Sequence, residues 1–275
     1  MGSHYQLIVT DLDGTLLNDR SEVTPRIRAA IEVALRQGIK VVLNTARPPR
    51  WIRSLHRELN LSEPAITYNG ALIYDFQQDQ AILHRPIPRE IAARTLQAIR
   101  SVDSTLNVGL ELADEWHVDR IDTRLQFDLE AGRLAAAPLV SDLDAVIATT
   151  TRGISKLYVV GTASQREALQ AWIVRAGLIS QVAFTSSGVG FVEMSAAGVD
   201  KGTALRALAD HLGVPLERTI ALGDGENDIP ALRTAGLGIA MGHADEAVRS
   251  AAHLVTGSNT ADGWAEAIER YALTE

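Results

Sequence analysis

Two aspartates one residue apart close an apolar strand near the start of the chain, where Tyr5 to Thr10 runs into Asp11-Leu12-Asp13-Gly14-Thr15-Leu16. A strand that ends in Asp-x-Asp-Gly-Thr places two carboxylates and a hydroxyl on one turn, at the sheet edge where ligands of open α/β folds bind. Those groups suit chemistry on phosphate. Asp, Gly and Thr after a strand also make ordinary turns, but three more polar segments follow in order, each directly after or beside an apolar stretch. They are Asn44-Thr45-Ala46-Arg47, Val199-Asp200-Lys201-Gly202 and the run from Gly223 to Leu232, GDGENDIPAL. Alone, Thr45 would be a helix cap and Lys201 a solvated helix start. Beside the aspartates they become candidate partners of a phosphate.

Strand and helix patterns alternate around these segments, as in a parallel sheet with helices on both faces. A strand at 6–10 leads to a helix at 25–37 with Pro25 at its start and Gly38 at its end. A strand at 40–44 precedes a helix at 50–59, and ITYNGALIYD reads as a tight hairpin turning at Asn69-Gly70. Later, a helix at 201–212 leads through Gly213 and Pro215 to a strand at 219–222 and the acidic loop, followed by a strand at 238–241 and a helix at 264–271. Between about 80 and 190 no motif occurs. ISKLYVVG, a helix at 165–176 and strands at 181–185 and 191–194 suggest a small α/β domain there.

In these motifs the sequence resembles the haloacid dehalogenase-like (HAD) phosphohydrolases of the Cof-type IIB branch. That branch carries DxDGTL first, a Thr-bearing second motif, a long insertion, then DKG and GDxxND, and AMGHA (Ala240 to Ala244) and SNTADGW (Ser258 to Trp264) match its closing pieces. The resemblance implies an α/β fold: a Rossmann-like doubly wound parallel-sheet core over 5–80 and 190–275, with an inserted α/β cap of the C2B type over 81–189. In that branch the cap closes over the core and selects the substrate.

The resemblance also implies roles. Asp11 would be the nucleophile that forms an aspartyl-phosphate, and Asp13 the general acid and then base. Mg²⁺ is the expected cofactor, held by Asp11, the Asp13 backbone carbonyl and Asp224, with Asp228 as ligand or support. Thr45, Lys201, Asn227 and the amides of Leu12 and Ala46 would bind the phosphate, and Lys201 would also restrain Asp11. Arg47 is read as touching substrate or as closing a loop. Ala46 stands where the branch commonly has Gly, which leaves its N–H usable if its φ is negative. Trp264 stands where a small residue is usual and is expected to pack.

The expected activity is hydrolysis of a small phosphorylated metabolite, with sugar phosphates favoured; a phosphomutase and a phosphometabolite sensor are the alternatives. At 275 residues and 46% hydrophobic, the chain can form two modest domains. A net charge of −8 argues against nucleic acid as partner, no stretch suits a membrane span, and the absence of cysteine excludes disulfides and thiolate metal sites. A cytoplasmic monomer or weak homodimer is expected, and Met1-Gly2-Ser3-His4 reads as an expression-vector remnant. Asp224 to Asp228 lacks the Gly of a calcium loop, Gly236 to Gly242 lacks the third Gly of a dinucleotide site, and the seven His show no zinc spacing, His243 and His253 reading as surface or packing residues. Glu111, His117, Asp119 and Arg120 are the cap residues expected either to line a cleft or to form a solvated strand face.

Overall fold

The computed structural model describes residues 4–132, 134, 136–185 and 191–273. Met1 to Ser3 and the expected 189/190 boundary lie outside the described residues. The chain divides into two compact units, the first formed by Met1–Arg47, Ile52–Ile82 and Asp200–Glu275, the second by Pro48–Trp51 and Leu83–Val199.

The first unit begins β1 (Leu7–Thr10), α1 (Pro25–Arg36), β2 (Lys40–Leu43), α2 (Pro49–Glu58), β3 (Ala65–Thr67), β4 (Leu72–Asp75) and β5 (Gln80–His84). The first turn of α2 clusters with the second unit, and the chain passes to that unit within β5. Thr24 caps α1 by accepting from the Ile27 amide, with Pro25 at the first helical position.

The second unit contains α3 (Arg89–Val102), β6 (Val108–Leu112), β7 (Glu115–Val118), α4 (Thr123–Glu130), β8 (Leu139–Val140), α5 (Leu143–Thr149), β9 (Ile154–Val160), α6 (Ala163–Arg175), β10 (Val182–Thr185) and β11 (Phe191–Ala196). Its sheet runs β10-β11-β9-β6-β7-β8, antiparallel except for the last pair. Leu96, Ile99, Leu110, Leu157, Val159 and Ile173 share its core. Because β11 pairs with β9, the return to the first unit comes at Asp200 and not at residue 190.

The first unit resumes with α7 (Lys201–Leu212), β12 (Thr219–Gly223), α8 (Ile229–Thr234), β13 (Leu237–Ala240), α9 (Glu246–Ala251), β14 (Leu254–Val255) and α10 (Gly263–Tyr271). Its main sheet has the order β14-β13-β12-β1-β2, every pair parallel. Strands buried along most or all of their length, such as β1 and β12, are what helices on both faces require. Succession moves one way from β1 to β2 and the other way through β12, β13 and β14, so the direction reverses between β1 and β12. At such a switch point the strand ends leave a crevice.

Candidate active site

The switch point decides which residues meet. β1 and β12 lie side by side with Thr10 opposite Leu222, and the Asp11 amide donates to the Leu222 carbonyl at 3.0 Å. Asp11 and Asp224 therefore leave adjacent strand ends together. Between them the chain turns at Gly14, whose φ of +83° suits glycine, and a Cβ there would lie 2.3 Å from Asp224 Oδ2. Thr15, fully buried, donates its hydroxyl to Asp224 Oδ1 at 2.8 Å.

Helix α7 brings the cation. Asp200 caps it by accepting from the amides of Gly202 at 2.8 Å and Thr203 at 2.7 Å, which fixes Lys201 at the first helical position. Lys201 is 1% exposed, and its Nζ donates to Asp11 Oδ1 and to Asp228 Oδ1, both at 2.6 Å. Asn44 at the end of β2 donates to the Lys201 carbonyl at 3.2 Å. Asp228 Oδ2 accepts from the amides of Asp224 and Gly225 at 3.1 and 2.9 Å, so this carboxylate holds both the lysine and the acidic loop.

One ammonium faces three carboxylates, and their titration reflects that excess. Burial pushes the Asp11 carboxyl up to about 8; Lys201 opposes the rise, while Asp228 and Asp224 add to it. Burial raises Asp224 as well, against the Thr15 hydroxyl and with Asp228. Burial disfavours the Lys201 charge, yet Asp11 and Asp228 outweigh it and hold the ammonium above its usual range. A neutral carboxyl is a poor nucleophile, so the cluster calls for a second cation. Oxygens of Asp11, Asp224 and Asp228 lie within 4.8 Å of one another. An all-carboxylate donor set of that size fits a hard divalent ion such as Mg²⁺. Both Asp228 oxygens already accept hydrogen bonds, which suits support of the ion better than direct ligation.

Thr45 is buried and its Oγ1 accepts from the Arg47 amide at 3.1 Å. Ala46 is not among the residues with positive φ, so its replacement of Gly leaves the backbone unstrained. Leu12 is buried in the first unit's core. Arg47 grips Asp13 with two hydrogen bonds, Nε to Oδ2 at 2.8 Å and Nη2 to Oδ1 at 2.5 Å. The Asp13 side chain is 58% exposed, in contrast to Asp11. Asn227 donates to Asn69 Oδ1 at 2.9 Å.

Several expectations change. The hairpin at Asn69 is not a two-residue turn: Thr67 pairs with Leu72, leaving four residues between the strands, and Asn69 is buried. His243 is exposed, as expected of a surface residue, and its Nε2 lies 3.6 Å from Asp224 Oδ2. His253 is exposed too, with Nδ1 accepting from the Gly238 amide at 2.9 Å. Trp264 is fully buried, and its Nε1 donates to Thr10 Oγ1 at 2.9 Å. The four cap residues share no face. Glu111 lies opposite Trp116 whereas His117 lies opposite Leu110, and successive strand residues point to opposite faces. Glu111 is buried against Arg50, at 2.7 and 2.9 Å. His117 is buried between Ser141 and Glu115, at 2.8 and 2.6 Å. Asp119 lies near Arg100, and Arg120 donates to the Thr105 carbonyl. Thr10, Asn44, Asn69 and His243 lie in or beside segments the sequence singled out, but their bonding partners could not be read from spacing, because those partners are remote in sequence.

A sequence profile of the family described as haloacid dehalogenase-like hydrolase matches residues 8–268. The chain is 27% identical over 270 residues to the 5-amino-6-(5-phospho-D-ribitylamino)uracil phosphatase YitU of Bacillus subtilis, covering 96% of this chain and 97% of the relative. It is 31% identical over 277 residues to phosphatase YwpJ of the same organism, covering 94% and 96%. The crystal structure of a haloacid dehalogenase-like hydrolase from Bacteroides thetaiotaomicron matches with a TM-score of 0.83 at 30% identity, over 97% of this chain and 99% of that one.

Proposed function

The chain belongs to the haloacid dehalogenase-like hydrolases and is a phosphatase of that family, and from this premise we propose that it hydrolyses small phosphate monoesters with Mg²⁺ through a phosphoryl group carried on Asp11. The observation that carries this reading is the buried Lys201, bonded at once to Asp11 and Asp228 beside Asp224. Sugar and polyol phosphates are the favoured substrates, in keeping with the ribityl phosphate in the name of YitU.

Asp11 uses the oxygen not held by Lys201 to attack phosphorus, while the alkoxide leaves in line on the far side. Lys201 keeps Asp11 from rotating away and supplies fixed positive charge. Asp13 gives its proton to the departing oxygen. It then takes one from the water that attacks the phosphoryl–Asp11 bond and frees inorganic phosphate. Arg47 orients the Asp13 carboxylate through both oxygens, and one of these bonds opens when that carboxyl carries the proton of the acid step. Thr45 and Asn227 donate to the phosphoryl oxygens. Asp11, the Asp13 carbonyl and Asp224 would hold Mg²⁺, with Asp228 behind them; when bound, it offsets charge on the phosphoryl oxygens and restores Asp11 to its ionised form.

The test is phosphate release from a panel of monoesters with Mg²⁺ and with EDTA, run beside Asp11→Asn. Metal-dependent release that the variant loses is the expected result. Equal release by the variant, or release indifferent to EDTA, would overturn the reading.

A further inference from the structure

The turn between β3 and β4 carries three consecutive residues in the left-handed region: Tyr68 at φ 52°, Asn69 at 55° and Gly70 at 101°. Glycine is at ease there and asparagine tolerates it, but a run of three with a tyrosine is costly. An ordinary hairpin loop would leave its asparagine in water, where no partner is needed. Here the Asn69 side chain is buried, and a buried carboxamide is unfavourable unless its polar atoms are bonded.

The turn meets three of the four motifs. The Asn69 amide donates to the Thr45 carbonyl at 3.0 Å and the Tyr68 amide to the Arg47 carbonyl at 3.3 Å. Gly70 lies so close to Asp200 that a Cβ would come within 2.3 Å of its carbonyl oxygen. Asn69 Oδ1 accepts from Asn227 Nδ2 at 2.9 Å, across 158 residues of sequence.

We propose that Asn69 is a positioning residue of the phosphate site, acting through Asn227. By accepting one N–H of the Asn227 carboxamide, it fixes which way that amide faces and leaves the second N–H for a phosphoryl oxygen. Its own backbone N–H holds the Thr45 carbonyl, so one residue aligns two phosphate donors that come from different motifs. The strained backbone is the cost of bringing both functions to a single position. This inference rests on the reading of Thr45 and Asn227 as phosphate donors.

Asn69→Gly is the informative variant, because glycine accepts the left-handed backbone and keeps the amide while removing only the side chain. The full chain is compared with Asn69→Gly, Asn227→Ala and the double variant, by calorimetric titration of inorganic phosphate with Mg²⁺ and by ester turnover. Asn69→Gly is expected to fold with a modestly lower Tm, and to weaken phosphate binding and kcat/KM about tenfold, the effect of one hydrogen bond to a charged group. The double variant is expected to be no weaker than Asn227→Ala alone. Phosphate affinity of Asn69→Gly equal to wild type, losses that add in the double variant, or a wild-type chain that binds no phosphate would each overturn the proposal. A wild type that binds phosphate but turns over no ester counts against the phosphatase reading, and the binding cycle still decides the role of Asn69.

Discussion

The two units handle buried charge in opposite ways. In the first, charged side chains gather at strand ends, where Asp11, Asp224 and Asp228 share the single ammonium of Lys201. In the second, each buried carboxylate has a cation directly against it: Lys156 meets Glu193 at 2.7 Å across the sheet, and Arg50 at the start of α2 meets Glu111 at 2.7 Å, with the more exposed Asp114 at 3.5 Å. Surplus negative charge held rigidly is unfavourable until a cation or phosphoryl chemistry uses it, whereas paired charge can rest. The first arrangement is therefore a tool and the second a fixture.

The sharpest way to break this contrast is Asp11→Asn, which is expected to lower kcat by about 10³-fold or more while circular dichroism and Tm show an intact fold. Asp224→Asn should next raise the Mg²⁺ concentration for half-maximal activity by about tenfold or more, read from a metal titration. Arg47→Ala addresses Asp13. Turnover of alkyl phosphates should fall about tenfold further than that of p-nitrophenyl phosphate, whose leaving group needs little protonation. Equal losses on both esters would instead assign Arg47 to binding substrate.

On the other side of the comparison, Lys156→Met should cost about 3 kcal/mol by stranding Glu193, seen as a lower Tm in a chain whose Mg²⁺ requirement is unchanged. The double change Lys156→Met with Glu193→Leu should recover most of that loss. A last test concerns pH. Burial pushes the Asp11 carboxyl from the ordinary carboxylate range up to about 8 in the folded protein, so without metal the native state binds the extra proton and Asp11 costs stability as pH rises through that window. The Tm advantage of Asp11→Asn over wild type in EDTA should therefore widen from pH 4 to pH 8 and narrow when Mg²⁺ is added.

The first unit was legible because its chemistry sits where strands end. A motif beside an apolar run announces both the element and the site, and every helix and parallel strand placed there from sequence agrees with the structure to within one residue at each end, as with α7 at Lys201–Leu212, whereas the tight turn expected at Asn69 does not. What the sequence could not reveal was the bracing. Thr10 with Trp264 and Asn69 with Asn227 are bonds between residues with no local reason to be paired. The second unit was less legible for a related reason. Whether Glu111 and His117 share a face depends on the register of β6 against β7, and register is a property of the assembled sheet. Its boundary slipped by about ten residues because β11 belongs to that sheet by pairing.

The hydrogen bond from Trp264 to Thr10 also sets a timetable. It spans 254 residues and grips the strand that carries the nucleophile. A ribosome that has made Thr10 needs roughly 13 to 50 s, at ordinary rates of synthesis, to reach the tryptophan. For the first three-quarters of that interval, roughly, the growing chain displays the Asp11 sequence without the lysine or the β12 neighbour, and to its end without the final brace. A half-made molecule thus carries the reactive residue but not the enzyme.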